Sequence, residues 1–447
     1  MALISCVAAQ ASDLGPRTST REAHDDASGL AAFGCEYHRP VRALGGRFGL
    51  DRLRAVVLDP RLVPAVYLSL AVLAGVQQLL LGARSFEGRA YTHYNNFVIF
   101  KSSFQHLLRG QDLYVRYPAE HWDLFKYSPT FAAFMAPFAF LPDAVGLLVW
   151  NLLNVAVLFI AIRNLPLLDQ RAKALLGLLL VPELLTSLQN SQCNVLVVGL
   201  LVLAFESLER ERPGRAALLF VCAFYIKIFG LLAAVLFLLY PRKGKFLLCA
   251  AGWLVLLGVL PLLLVSPDRL QALYGSWARL LAADHSASTG LSVMGWFHSW
   301  FGFDPPKPLV VAAGAALGLA PLVQVRAHRS GAFRMMLLAS VLIWVIVFNH
   351  KAESATYIIA MCGVGLWYFS RSRGPAAAAL LALAFVLTSL SPTDLVPRAL
   401  REEWVKPYAL KAVPCILVWL TAIFELASFP RAAPSGSQRQ RALPLQG

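Results

Sequence analysis

The chain has 447 residues, of which 58% are hydrophobic and only 15% charged, with a mean hydropathy of +0.60. A soluble domain carries about 25% charged residues and could not hide this much apolar side chain, so a globular soluble protein is excluded. The formal charge is +15, but the basic residues sit in short loops between apolar runs and in both tails, without an aromatic-laced stripe. That excludes nucleic acid as a partner and matches the positive-inside distribution of a membrane protein.

Residues 1–60 are polar and lack apolar periodicity, which predicts a disordered cytoplasmic tail. The stretch Ala2–Ala11 is short and has no preceding positive charge, so it is not read as a signal peptide. A single polytopic membrane domain is expected over 62–430, and a second disordered cytoplasmic tail over 431–447. Apolar runs lie at approximately 62–83, 128–141, 144–163, 173–188, 193–208, 215–240, 246–265, 308–325, 333–349, 355–370, 375–391 and 408–428. Arg52, Arg54 and Arg61 before the first run put that end inside, and later basic loops at Arg163–Lys173, Arg210–Arg215, Arg242–Lys245, Arg326–Arg334 and Arg371–Arg373 mark the same side. The seven cysteines are scattered without a CxxC pair and read as small packing residues.

Two runs break simple alternation. Run 128–141 has about 14 residues, roughly 21 Å as a helix, and Leu141-Pro142-Asp143 turns it straight into the next run. It is expected to be a re-entrant piece dipping in from outside. Run 215–240 has basic loops at both ends and carries Lys227 and Gly230 in its middle. It is expected to be a broken helix pair entering and leaving on the cytoplasmic side, because irregular backbone at that depth needs protein or a wet cavity around it. The chain is thus an all-α polytopic membrane protein of about 10–12 transmembrane helices with a large first external loop. Both termini fall on the cytoplasmic side, which fits the plasma (inner) membrane of a bacterium.

With that topology the unusual polar sequence gathers outside. In loop 84–127, Phe97, Phe100, Phe104, Leu107 and Leu108 recur at three- to four-residue spacing, predicting an amphipathic helix on the membrane face that Gly110 ends. Asn95, Asn96, Asp112, Asp123, Lys126 and Tyr127 flank it. The turn Gln189-Asn190-Ser191-Gln192-Cys193-Asn194 is either a plain outer turn or a row of amides for a sugar or phosphate. Lys227 is an intramembrane ammonium, which is costly and calls for a cavity or a partner; a phosphate would suit it. His350, Lys351 and Glu353 cluster at another external junction, where Glu353 could pair with Lys227 or Lys351 or act as a base. His285 lies in a polar external segment resembling a substrate loop. No Walker A, GxSxG, HExxH or dinucleotide fingerprint occurs, and no external DxD, so no metal or cofactor is expected.

Taken in order, a first span, a large external loop with an amphipathic helix, Tyr127-Ser128-Pro129-Thr130-Phe131 leading into a short piece ending in Leu141-Pro142, a Gln/Asn turn and a lysine in a broken helix resemble glycosyltransferase family 87, of the GT-C superfamily. The resemblance covers roughly 62–430. It implies transfer of a hexose, mannose first, from a polyprenyl-phosphate sugar to a lipid or glycan acceptor outside the cytoplasm, with bilayer lipid around the prenyl tail. Family members carry an acidic general base in the first-loop segment where this chain has Asn96, and an amide cannot accept that proton. The role then passes to Asp123 as first choice, or to Asp112 or Glu353, or the chain is a divergent or non-catalytic branch. On this reading Lys227 and Lys126 face the leaving phosphate, while Asn95, Asn96, Tyr127, Gln189, Asn190, Gln192, Asn194, His285 and His350 line the substrate. A lipid or solute transporter is the main alternative, but the two broken runs are unlike in sequence and do not form inverted repeats.

Overall fold

The structure is a computed structural model that describes residues 55–283 and 288–430. The expected helical spans form. In chain order they are α1 (Leu62–Leu80), α2 (Asn95–Leu108), α3 (Pro129–Phe134), α4 (Ala136–Ala139), α5 (Asp143–Asn164), α6 (Gln170–Leu179), α7 (Val181–Gln189), α8 (Asn194–Glu209), α9 (Pro213–Ile226) and α10 (Phe229–Ala233). They continue as α11 (Lys243–Gly258), α12 (Pro267–Ala283), α13 (Val293–Phe301), α14 (Lys307–Leu319), α15 (Gly331–Val347), α16 (Tyr357–Phe369), α17 (Pro375–Ala384) and α18 (Val413–Ala427). The one sheet among the described residues is a two-stranded antiparallel hairpin, β1 (Ala83–Phe86) with β2 (Arg89–Thr92), just after α1.

Helices α1, α5 and the stretch Lys243–Leu263 are each long and apolar enough to cross a bilayer. Run 173–188, read as one span, is bent by 44° between α6 and α7, where Pro182 denies the second helix an ordinary continuation of the first. Shorter apolar helices supply the remaining candidate crossings. Leu80, Leu248, Leu263, Val323 and Phe424 are each more than 70% exposed; an apolar surface of this kind belongs in lipid. By contrast α8 and α16 are buried almost all round. Apolar residues on every face fit the centre of the bundle, where each packs on protein alone. Helix α15 packs along α16, and α8 along α5 and α9.

The short second run is two helical pieces. Ser128 caps α3 by accepting from Phe131 N at 3.0 Å, with Pro129 at the first helical position. Six residues and then four rise only about 9 and 6 Å, far short of a bilayer.

The run around Lys227 doubles back. Lys227 has extended backbone (φ −145°, ψ 142°) that ends α9, and α10 continues as a 3-10 helix, Ala234–Leu239. Fourteen residues climb about 21 Å, and five α plus six 3-10 residues return about 20 Å, so the two feet meet again. Arg242 Nη2 stands 3.2 Å from a Glu211 carboxylate oxygen, and the Tyr240 hydroxyl donates to Glu209 at 2.6 Å. The segment is therefore a helical hairpin with Lys227 at its tip. Gly230 lets the arms touch: a Cβ there would lie 2.2 Å from Phe224 N and 2.4 Å from Phe220 O. Backbone cannot yield that far, so Gly230→Ala is expected to cost about 3 kcal/mol or more and to lower the melting temperature in detergent. Gly252→Ala, with nothing within 4 Å of its Cβ, is the matched control and is expected to leave melting unchanged or slightly raised.

One enclosed ion pair falls in runs read from sequence as plain apolar spans. Lys411 Nζ lies 2.6 Å from Glu183 Oε1, with side chains 3% and 1% exposed. It ties α7 to the segment leading into α18.

Candidate functional site

Helix α2 of the 84–127 loop forms as expected, ending at Gly110 (φ +66°). Its buried face includes Phe97, Phe100, Phe104 and Leu107, while Leu108, expected on that face, is exposed. Phe100 sits at the centre of an aromatic group with Tyr127, Phe131 and Trp150, all edge-on at 5.0–5.7 Å.

Segment 125–130 is gripped from several sides. Tyr114 Oη donates to Tyr127 O at 2.9 Å, and Trp277 Nε1 to Lys126 O at 3.3 Å. Ser128 Oγ donates to Tyr225 O near the hairpin tip, and Thr130 Oγ1 bonds Leu257 O at 2.9 Å and the Tyr274 hydroxyl at 2.7 Å. The amphipathic helix α12, which periodicity in the 266–307 loop should have announced, thus serves as a clamp on this segment. Held this way, Lys126 and Tyr127 are fixed relative to the hairpin.

Charged groups converge here. Asp123 Oδ1 accepts from Leu124 N at 2.7 Å, and its Oδ2 lies 3.1 Å from Lys126 Nζ, both side chains close to half exposed. Lys227 Nζ donates to Asn194 Oδ1 at 2.7 Å; an ammonium has three donors, so two remain for a ligand. Cys193, buried close to Tyr127, lies within electrostatic reach of Lys227. Burial pushes the Tyr127 phenol well above its usual range, with the Glu353 and Asp123 carboxylates adding to the rise. Burial lowers the Lys351 ammonium, helped by the neighbouring Lys126 charge and opposed by Asp123. Asp123 and Glu353 thus act on Tyr127, Lys126 precedes it in the chain, and Lys351 is coupled to both Lys126 and Asp123. Lys351 belongs to this group although the sequence marked it only as a neighbour of Glu353.

Other expected site residues have different employment. Glu353 is exposed; the expected pairing with Lys227 is not formed, and the Lys227 ammonium bonds Asn194. Asn194 is fully buried, and its Nδ2 donates to Ala355 O at 2.9 Å, so both ends of the amide are spent. It positions Lys227 and cannot itself grip a sugar. Gln189 donates to Gln77 at 2.7 Å, and Asn190 donates back to Thr186 O at 2.8 Å, closing the end of α7. Gln192 accepts from the Tyr127 hydroxyl at the long distance of 3.5 Å, which keeps it beside the cluster. Asn95 is buried, with its Oδ1 accepting from Trp122 N at 3.3 Å, so it holds the backbone next to Asp123. Asn96 donates to Asn190 O at 2.9 Å and ties the first loop to the Gln/Asn turn. Asp112 accepts from Tyr114 N at 3.0 Å, and its carbonyl from the Tyr117 hydroxyl at 2.7 Å; it shapes its own turn. His350 lies on the Asn349–Glu353 turn, its carbonyl accepting from Ser288 Oγ. His285 lies outside the described residues.

His121 was not anticipated. It is buried, and its Nδ1 donates to Asp123 O at 2.7 Å; the acceptor is a carbonyl, so Nδ1 carries the proton. Burial lowers its pKa below the ordinary value near 6.5, with the Asp123 backbone bond and Glu120 pulling the other way. A depressed folded-state pKa means the unfolded chain binds the proton first. The stabilisation is complete above about pH 6.5 and is lost as pH falls through the lower folded value. The melting temperature is expected to drop on acidification from about pH 7 to about pH 5, and His121→Gln to flatten that slope. An unchanged slope in the variant would remove His121 as its source.

The profile of glycosyltransferase family 87 matches residues 125–348. The chain belongs to this family. It is thus a polytopic membrane glycosyltransferase. The family 87 match takes in Lys126, Tyr127, the 189–194 turn and Lys227. It begins two residues after Asp123 and ends five before Glu353, so these two candidate bases lie just beyond it. No curated protein matches the chain. Among solved structures it is similar to the crystal structure of ArnT from Cupriavidus metallidurans bound to undecaprenyl phosphate, at 14% identity and a TM-score of 0.36, over 81% of this chain and 77% of that one.

Proposed function

We propose that this glycosyltransferase transfers a hexose, mannose first, from a polyprenyl-phosphate sugar to a lipid or glycan hydroxyl on the extracytoplasmic face of the plasma membrane. The observation that carries the reading is Lys227. It stands at the tip of a helical hairpin with one donor fixed by Asn194 and two left over, and Asn194 belongs to the same turn as Gln192, which accepts from the hydroxyl of Tyr127, next to the Lys126–Asp123 pair. A lipid-linked phosphate leaving group gains negative charge as it departs, and fixed ammonium groups stabilise that charge.

In this mechanism the acceptor hydroxyl gives its proton to Asp123 as its oxygen bonds to the anomeric carbon. The bond from that carbon to the phosphate oxygen breaks, and its electron pair leaves with polyprenyl phosphate. Lys126 is paired with Asp123 before substrate arrives. The donor phosphate competes for that ammonium, and its arrival releases a carboxylate oxygen for the acceptor proton. Apolar flanks of the bundle keep the prenyl chain in the bilayer.

Proteoliposomes containing the full chain, offered radiolabelled polyprenyl-phosphate mannose, polyprenyl-phosphate glucose or a nucleotide sugar, test the reading. Label is expected in a lipid or glycan product from a polyprenyl-linked donor alone. Transfer from the nucleotide sugar, or from no donor, would overturn it. The orientation is checked by labelling a cysteine introduced at Ser428, beyond α18, which should be reached only from the cytoplasmic side.

A further inference from the structure

At the end of the bundle opposite the lysine cluster lies a cavity of about 400 Å³ between the α5–α6 and α16–α17 loops. The two ends are distinct: α5 starts at Asp143 and α16 just after Glu353, both near the site, whereas the cavity begins past their far ends at Leu167 and Tyr368. Positive charge in the loops puts this end on the cytoplasmic side.

Arg171, Arg371 and Arg373 line the cavity. Arg373 is only 4% exposed; its Nη1 lies 2.6 Å from Glu425 Oε2 and its Nη2 donates to Trp367 O at 2.6 Å. Its Nε is buried and meets no acceptor among the described residues. A buried guanidinium N–H left unsatisfied costs free energy unless a ligand supplies the acceptor. Arg371 lies 3.4 Å from the same Glu425 and stays about one-third exposed. The one carboxylate lining the cavity, Asp169, spends Oδ1 on the Ala172 N–H at the start of α6. That ten-residue helix turns its N-terminus, with its partial positive charge, to the same space. Three arginines outweigh Asp169 and Glu425 together, and Leu167, Tyr368 and Phe369 complete the wall with apolar surface.

We propose that this cavity binds the phosphate of an anionic phospholipid headgroup in the cytoplasmic leaflet, with Arg171, Arg371 and Arg373 on the phosphate and the apolar wall along the first part of the acyl chains. Basic pockets between helices on this side have the chemistry for such headgroups, and planar guanidinium groups suit phosphate oxygens. The site is separate from the donor site and stands or falls independently of it.

The test is native mass spectrometry and thermal melting of the purified full chain with phosphatidylglycerol or phosphatidylcholine at equal concentration. Phosphatidylglycerol is expected to be retained at least about fivefold more and to raise the melting temperature. The double variant Arg171→Gln/Arg371→Gln should lose the preference while melting normally in phosphatidylcholine. Asp169→Asn, which keeps a capping oxygen and removes the negative charge, should strengthen it. Because that variant gains binding, it also decides the matter should the double variant melt early. Equal retention of the two lipids, or no strengthening in Asp169→Asn, would overturn the proposal. If inorganic phosphate alone protects as well as the lipid, the site takes free phosphate and the lipid assignment fails.

Discussion

Lys227→Met is expected to lower sugar transfer by about 10²–10³-fold, the usual loss when one group stabilising transition-state anionic charge is removed. Methionine keeps the length and apolar stem and deletes the charge. The substitution has a second effect that must be separated from the first. Asn194 Oδ1, fully buried, loses its donor, which costs about 1–3 kcal/mol of stability. Activity per folded molecule therefore has to be measured beside a melting curve. Lys227→Arg should restore part of the rate, since charge returns while the geometry changes. Asn194→Ala should reduce transfer less than Lys227→Met, because it frees the ammonium without removing it. Transfer within about threefold of wild type in Lys227→Met, well under the expected loss, would eliminate this lysine from the reaction.

Asp123→Asn is expected to reduce transfer by about 10²–10⁴-fold, the range for losing a general base, with protein yield and melting close to wild type because the side chain is about half exposed. Glu353→Gln is the companion measurement. Both carboxylates act on Tyr127, so the pair share the neighbourhood but not the role. A small effect in Glu353→Gln beside a large one in Asp123→Asn assigns the base to Asp123. The reverse pattern moves it to Glu353, and full activity in both removes carboxylate base catalysis at this cluster.

The helices were legible because a bilayer demands long apolar runs, and such runs are visible in any window of the sequence. The shortness of 128–141 and the hairpin at Lys227 could be read for the same reason: one run was too short, and the other had basic residues at both ends. The bend between α6 and α7 was signalled by Pro182 but hidden inside a run of adequate total length. The amides at 189–194 show the limit. Sequence marks them as polar and external, yet whether an amide faces a ligand or a neighbouring backbone depends on partners far along the chain, such as Ala355 for Asn194 and Gln77 for Gln189. His121 was overlooked for the same reason, since nothing local shows that it is buried and holds the backbone of Asp123.

The Glu183–Lys411 pair bears on how the protein is made. Its two members are separated by 228 positions, and Glu183 lies about 9 Å along α7 from its C-terminal end at Gln189. During synthesis α7 leaves the ribosome long before Lys411 exists. For that interval the carboxyl group has no lysine, and an ionised side chain facing lipid alone costs several kcal/mol. The middle of the bundle must therefore wait, sheltered by its neighbours or by insertion machinery, until the last helix arrives and closes the pair. Chains cut short before Lys411 would carry Glu183 without the partner that neutralises it.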